Sequence, residues 1–205
     1  MCVEAIGSLK PEALERATIT LERAFASDPL VTWIFPDSPR RLQALRSLYR
    51  VQLRYGLRYG RVTQANDAKA VAIWLPPGRE ISHWGMIRCG ILDLLFRTGL
   101  GPLARLGAAQ AVLARLHQKH MPEPHWYLLV VGVDPELAGR GLGSALVKEG
   151  LVLADQDSRP CYLETSLERN LSLYQRLGFT VLDTASLGKG GPAAWAMRRE
   201  PQPSR

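Results

Sequence analysis

The sequence predicts an α/β protein, and three observations predict it. Strand-like and helix-like stretches alternate through the second half of the chain. Trp126–Val133 is an eight-residue apolar run with the length and β-branched content of a buried strand. That run passes through Asp134-Pro135 into a glycine-rich turn that opens an amphipathic stretch. The 205 residues suit one domain, read here as 1–205. With 46% hydrophobic and 22% charged residues, the chain is neither disordered nor a coiled coil.

Residues 3–6 read as a short first strand. Residues 11–26 place Ala13, Leu14, Ala17, Leu21, Ala24 and Phe25 at helical spacing. Asp28-Pro29 and Pro36-Asp37-Ser38-Pro39 punctuate a loop carrying Trp33 and Phe35. A second helix follows over 40–59. Residues 61–64 and Ala70–Leu75 form a strand pair, with Asn66-Asp67 in its turn, and Pro76-Pro77-Gly78 stops it. Residues 81–119 read as a helical insert of two helices, broken at Gly99-Leu100-Gly101-Pro102. After Trp126–Val133 come a helix over 141–156, a strand at Cys161–Thr165, a short helix over 170–177, and closing strands near 179–182 and 195–198. Residues 201–205 form a tail.

The 26 Lys and Arg against 19 Asp and Glu give a net charge of +7, which suits an acidic partner such as nucleotide phosphates. The excess is local. Residues 38–66 hold seven arginines and no acid, whereas 120–205 hold nine bases and ten acids. Three cysteines without CxxC spacing exclude a disulfide framework and a structural zinc site, and four histidines without HExxH suggest no metal. The first residues lack an apolar signal segment and no stretch reaches membrane-span length. The expectation is a cytoplasmic protein with no membrane partner.

The most informative segment is Ala138-Gly139-Arg140-Gly141-Leu142-Gly143-Ser144. Alternate glycines let backbone approach an anion, and the N–H groups and positive dipole end of the following helix face it. Arg140 adds a charged donor. Ser144 occupies the position where a dinucleotide GxGxxG needs Gly or Ala, and GxxxxGK[ST] is absent. The segment instead resembles motif A of the GNAT superfamily, the acetyl-CoA-dependent N-acyltransferases: Q/R-x-x-G-x-G/A after a strand ending in V-x-P. Ala138 departs from the usual Gln or Arg, a loss that weakens coenzyme binding without removing it. Farther on, Asn170, Tyr174 and Gly178-Phe179 resemble that family's motif B. Asn170 and Tyr174 share a helix face, and Gly178 suits a helix end. Asp28-Pro29, Trp33, Phe35-Pro36-Asp37 and Ala72-Ile73-Trp74-Leu75-Pro76-Pro77-Gly78 are similar to the subgroup that includes puromycin N-acetyltransferase.

The resemblance implies a mixed, mostly antiparallel central sheet flanked by helices, with the insert 81–119 between the third and fourth strands. It implies acetyl-CoA as acyl donor and direct attack by a primary amine, of a small molecule or a peptide, in a ternary complex. Val131, Gly132 and Val133 then lie along the acetyl-pantetheine arm, and Ala138, Gly139, Arg140, Gly141, Leu142, Gly143 and Ser144 take the pyrophosphate. Asn170 contacts the pantetheine, and Tyr174 protonates the leaving thiolate. Glu164 and His125 are the alternatives for the base, with Glu123 behind them and bulk solvent as a further route. A homodimer is left open.

Arg46, Arg50, Arg54 and Arg58 recur every four residues as one stripe, extended by Arg40, Arg41 and Arg61. Either acids such as Glu12, Glu15 and Glu22 pair with them, or they dock an acidic partner. Trp33, Trp84 and Trp126 are offered as walls of an acceptor pocket under the insert. Two competing classes remain: a catalytically silent acyl-CoA-binding module, motivated by Ala138, and a nucleic-acid binder using the arginine helix, which lacks any base-reading motif.

Overall fold

A computed structural model describes residues 6–79 and 81–203. Seven strands form one sheet: β1 (Gly7–Ser8), β2 (Arg61–Ala65), β3 (Ala70–Leu75), β4 (Trp126–Val133), β5 (Cys161–Thr165), β6 (Thr180–Ser186) and β7 (Ala193–Arg199). Their order is β1-β2-β3-β4-β5-β7-β6. Every neighbouring pair is antiparallel except β4 and β5. This is the expected mixed, mostly antiparallel sheet. Residues 3–5 of the expected first strand lie outside the described residues.

Helices α1 (Leu14–Phe25), α2 (Pro29–Ile34) and α3 (Ser38–Tyr59) precede β2. Helices α4 (His83–Arg88), α5 (Ile91–Thr98) and α6 (Leu100–His120) lie between β3 and β4. Then α7 (Leu142–Gln156) joins β4 to β5, and α8 (Leu171–Arg176) joins β5 to β6. Strand β3 alternates between two cores, which explains why all six residues are buried. Val71 and Ile73 pack with Leu21, Leu45 and Leu53 of α1 and α3. Ala70, Ala72 and Trp74 pack with Leu146, Val147 and Leu151 of α7. Gly150 lets α7 close on Trp74, since a Cβ there would stand 2.2 Å from the indole.

Two expectations are corrected. The punctuated loop over 28–39 contains α2, because Asp28 and Pro29 serve as its N-cap and first residue. The Asp28 carboxylate accepts from Leu30 N at 2.9 Å and Val31 N at 3.3 Å. The insert holds three helices, because Gly90 at φ 99° breaks it a first time and Gly99 at φ 76° a second. The closing strands also run longer than expected, to Ser186 and from Ala193. No helix among the described residues is long and apolar enough to cross a membrane.

Candidate functional site

The site grows from one irregularity of the sheet. The parallel strands β4 and β5 pair only at Trp126 with Cys161 and Tyr127 with Tyr162, then diverge. Opposite β3, Ile73 pairs with Val130 and Trp74 with Leu128, so Leu129 is an unpaired bulge. The bulge shifts the alternation of β4. Trp126 and Leu128 face α7, Val130 faces the α1 side, and Val131 and Val133 face α7 again. Gly132 is packed under α1, where a Cβ would stand 2.6 Å from Leu21 and 3.1 Å from Phe25. Of the three residues expected along the coenzyme arm, Val131 and Val133 therefore share a face, and only the backbone of Gly132 is open to such a role.

Beyond β4, Asp134 caps the turn by accepting from Glu136 N at 3.0 Å. Arg23 of α1 holds Asp134 at 3.2 Å and Glu136 at 2.8 Å. The chain then reaches Gly139 at φ 77° and Gly141 at φ 81°, left-handed conformations that glycine adopts without strain. A Cβ at either position would meet nothing within 4 Å, so both open onto free space. Ala138, Gly139, Arg140 and Gly141 are exposed, and Gly143 and Ser144 half-buried. Gly141 caps α7 without a side-chain bond. Among the described residues, the N–H groups of 139–144 make no hydrogen bond. Unpartnered donors at the positive end of a fifteen-residue helix suit an anion.

Inside the divergence sits Glu164. Its Oε2 accepts from the Tyr127 hydroxyl at 2.7 Å, while Oε1 is sealed from solvent without a partner. Burial pushes its carboxyl up to about 7, against the opposing pull of the Tyr127 hydroxyl. The Tyr162 hydroxyl is also buried and unpartnered, and the nearby Glu164 adds to its burial in raising its pKa. His117 of α6 stacks against both tyrosines, with ring centroids 4.7 Å and 4.6 Å away. Its Nε2 lies 2.6 Å from the Nε2 of His125. The Nδ1 of His125 donates to the Glu123 carbonyl at 2.7 Å, and one proton lies between the two Nε2 atoms. Burial, then His125, lowers His117 to about 4, which keeps it neutral.

The structure thus gathers Glu164 and His125 in one cluster, and adds Tyr127, Tyr162 and His117. The tyrosines are register partners on β4 and β5, so equal offsets from the two strand starts could have found them. His117 arrives from the insert, and nothing local in the sequence signals it. Glu123 contributes a carbonyl there and pairs its carboxylate with Arg198 at 2.6 Å. Tyr174 lies elsewhere, in the α7-side core against Phe179, and burial pushes its phenol up to about 12. Its hydroxyl makes no hydrogen bond among the described residues. Asn170 is half-buried at the N-terminus of α8 and caps nothing with its side chain. Asp28 bonds Ser166, just past β5, at 3.2 Å, which ties α2 to this end of the cleft.

The tryptophans do not form one wall. Trp126 is buried on the α7 side and donates to Asp157 at 2.9 Å. Trp33 packs between α6 and Gly188, and Trp84 is 75% exposed. Trp126 and Trp33 serve separate cores and Trp84 faces solvent, so the three form no common acceptor wall.

Comparison with known proteins is consistent with this geometry. Residues 104–179 match the model of the acetyltransferase (GNAT) family. An uncharacterized N-acetyltransferase of Schizosaccharomyces pombe is 26% identical over 178 residues, covering 80% of this chain and 70% of that protein. Shorter stretches match mycothiol acetyltransferases, of which the chain spans about a fifth. Among solved structures, a histone acetyltransferase HPA2 and related acetyltransferase from Corynebacterium glutamicum superimposes with a TM-score of 0.69 at 23% identity, covering 100% of this chain and 99% of that one. A Drosophila melanogaster polyamine N-acetyltransferase, which forms N-acetylagmatine, gives 0.60 at 15% identity, covering 96% and 99%. The fold is the GNAT fold.

Proposed function

We propose, on the premise of a GNAT fold and a family match over 104–179, that this chain is an acetyl-CoA-dependent N-acetyltransferase acting on a primary amine. We read 1–205 as its single domain, with 81–119 as an insert. The observation that carries the reading is the divergence of β4 from β5, with unpartnered N–H groups at one end and Glu164 within it. The C. glutamicum, S. pombe and D. melanogaster acetyltransferases support the class.

Acetyl-CoA fits the residues present. The N–H groups of 139–144 would hold its pyrophosphate, with Arg140 as a charged supplement, and the cleft edge of 131–133 and Asn170 would hold its pantetheine. The coenzyme supplies an acetyl thioester. The amine nitrogen attacks the thioester carbonyl carbon, the C–S bond breaks, and Tyr174 gives its proton to the departing sulfur. Glu164 takes the proton that the nitrogen loses, and its raised pKa suits a base working near neutrality. The buried Tyr162 hydroxyl and Glu164 Oε1, close enough to act on each other, offer the amine a donor and an acceptor. The Asp28-Pro29 and Trp74-to-Gly78 motifs support our placement near the puromycin N-acetyltransferase subgroup.

The test is release of free thiol from acetyl-CoA against a panel of polyamines, arylalkylamines, amino acids, amine-bearing antibiotics and peptides. Amine-dependent release with an acetylated product is expected. Tight CoA binding with no release for any amine would favour the second reading, a silent acyl-CoA-binding module. That alternative rests on Ala138, whose exposed methyl stands where the family carries Gln or Arg.

A further inference from the structure

The arginine stripe of α3 is divided by the structure into two unlike halves. Arg46 bridges Glu22 at 2.6 Å, and Arg50 bridges Glu15 at 2.7 Å, both across to α1. Arg41, above them, binds the carbonyls of Phe35, Ala26 and Pro36 at 2.7, 3.3 and 2.9 Å. Arg54 and Arg58, one turn apart at the other end, make no ion pair or hydrogen bond among the described residues. Arg58 rests over the Tyr59 ring at 5.6 Å. Both lie near the buried Cys89 thiol, whose pKa burial raises and these two cations pull back.

Arg88 comes from the last turn of α4. Arg54, Arg58 and Arg88 line a hollow of about 300 Å³, with Cys89 and Leu57 between them. An adjoining hollow of about 440 Å³ shares Arg88 and adds Arg79, Tyr59 and Trp84. Among the described residues no carboxylate lines either hollow. Helix α5 begins just past Cys89 without a side-chain cap, and Arg54 Nη1 reaches within 3.4 Å of where a Cβ on Gly90 would stand. The hollow lies on the α3 side of the sheet, with Leu75, whereas α7 packs on the opposite side with Trp74. The unpartnered N–H groups of 139–144 are therefore a separate feature.

Converging cations without a counter-charge repel one another, and a bound anion removes that repulsion. Three guanidinium groups from two helices suit a tetrahedral group with three acceptor oxygens better than a planar carboxylate. We propose that Arg54, Arg58 and Arg88 form a binding site for a phosphoryl group, distinct from the coenzyme cleft. A soluble phosphate ester and a phospholipid headgroup share this chemistry. Ile81 at 41% and Ile87 at 40% exposed adjoin the lining residues Ser82 and Arg88 in sequence, and with Trp84 they give apolar surface that acyl chains would cover.

The test is calorimetric titration of the full chain with inorganic phosphate, at constant ionic strength set by chloride. Saturable binding is expected, weakened about tenfold or more in the R54Q/R58Q variant. It should be unchanged in R115Q/R105Q, which removes the same charge from exposed α6. R54Q/R58Q should melt no lower than the parent, because it removes repulsion and breaks no ion pair among the described residues. Co-sedimentation with phosphatidylcholine vesicles, with and without phosphatidic acid, separates the sources. Binding that requires phosphatidic acid, and is lost in both R54Q/R58Q and W84A/I87A, assigns the headgroup. Phosphate binding without vesicle binding assigns a soluble ester. Equal weakening in the two arginine variants, or no saturable binding to either probe, overturns the proposal.

Discussion

Two side chains lend themselves to single-atom tests. Tyr174 has no hydroxyl partner among the described residues, so Tyr174→Phe removes no hydrogen bond among them and should fold normally. If its phenol protonates the thiolate, kcat falls by roughly 100-fold while CoA affinity by calorimetry holds. Equal kcat in the variant would assign the proton to water. Glu164 carries the pH dependence. Its carboxyl sits at about 7 and only the ionised form accepts a proton, so kcat/KM should rise with pH through that value. Glu164→Gln should lose that rising limb along with most of the rate, and a limb that survives the change belongs to another group. Glu164 was legible in the sequence as a polar residue in a strand beside a glycine motif. Its neighbours were less so. Tyr127 and Tyr162 read as generic strand aromatics until register places them side by side. His117 read as one more residue of an amphipathic insert, because its role depends on a contact with β4 and β5 that no local pattern encodes.

Elements bounded by strong punctuation were read to the residue. Trp126–Val133 ends at Asp134-Pro135, and Cys161–Thr165 begins after Pro160, so apolar content and proline agree on both. Helix α2 shows the converse. Asp28-Pro29 carries two meanings, loop punctuation and helix start, and six residues are too few for periodicity to decide between them. The insert breaks at Gly90 for a reason visible only in φ, since a lone glycine within an apolar helical pattern is usually tolerated. Close helix-to-sheet approach makes its own prediction. Gly150→Ala would drive a methyl into the Trp74 ring, so α7 must shift away from β3. A loss of about 1–3 kcal/mol in denaturant unfolding is expected. Because α7 also presents the donors of 142–144, coenzyme affinity should fall with it. Unchanged stability would mean that α7 is less firmly seated than its contact with Trp74 implies.

At the scale of the whole molecule, the net charge of +7 proves to be two separate matters. Residues 120–205 carry no excess, and the anion grip proposed there is backbone N–H groups with Arg140. Part of the surplus in the first half is consumed internally by Glu22 and Glu15, and part converges beside α4 with no ion pair among the described residues. The sheet divides as well. Strands β1 to β4 form one antiparallel run, β5 to β7 another, and only two residue pairs join them directly. Helix α7 and the bidentate Arg199–Asp155 pair at 2.7 and 2.9 Å brace that seam from one side. A ligand lying between β4 and β5 would offer hydrogen-bonding groups to both, as the absent rungs of a ladder do. It would act as a temporary eighth strand, and the sheet would be mechanically whole only while loaded. Deuterium exchange can follow this directly. Cleft-side amides of 128–133 and 163–165 should exchange faster than those facing β3 or β7, and slow together when CoA is added. Protection confined to 139–144 would mean that the coenzyme grips the turn and leaves the seam open.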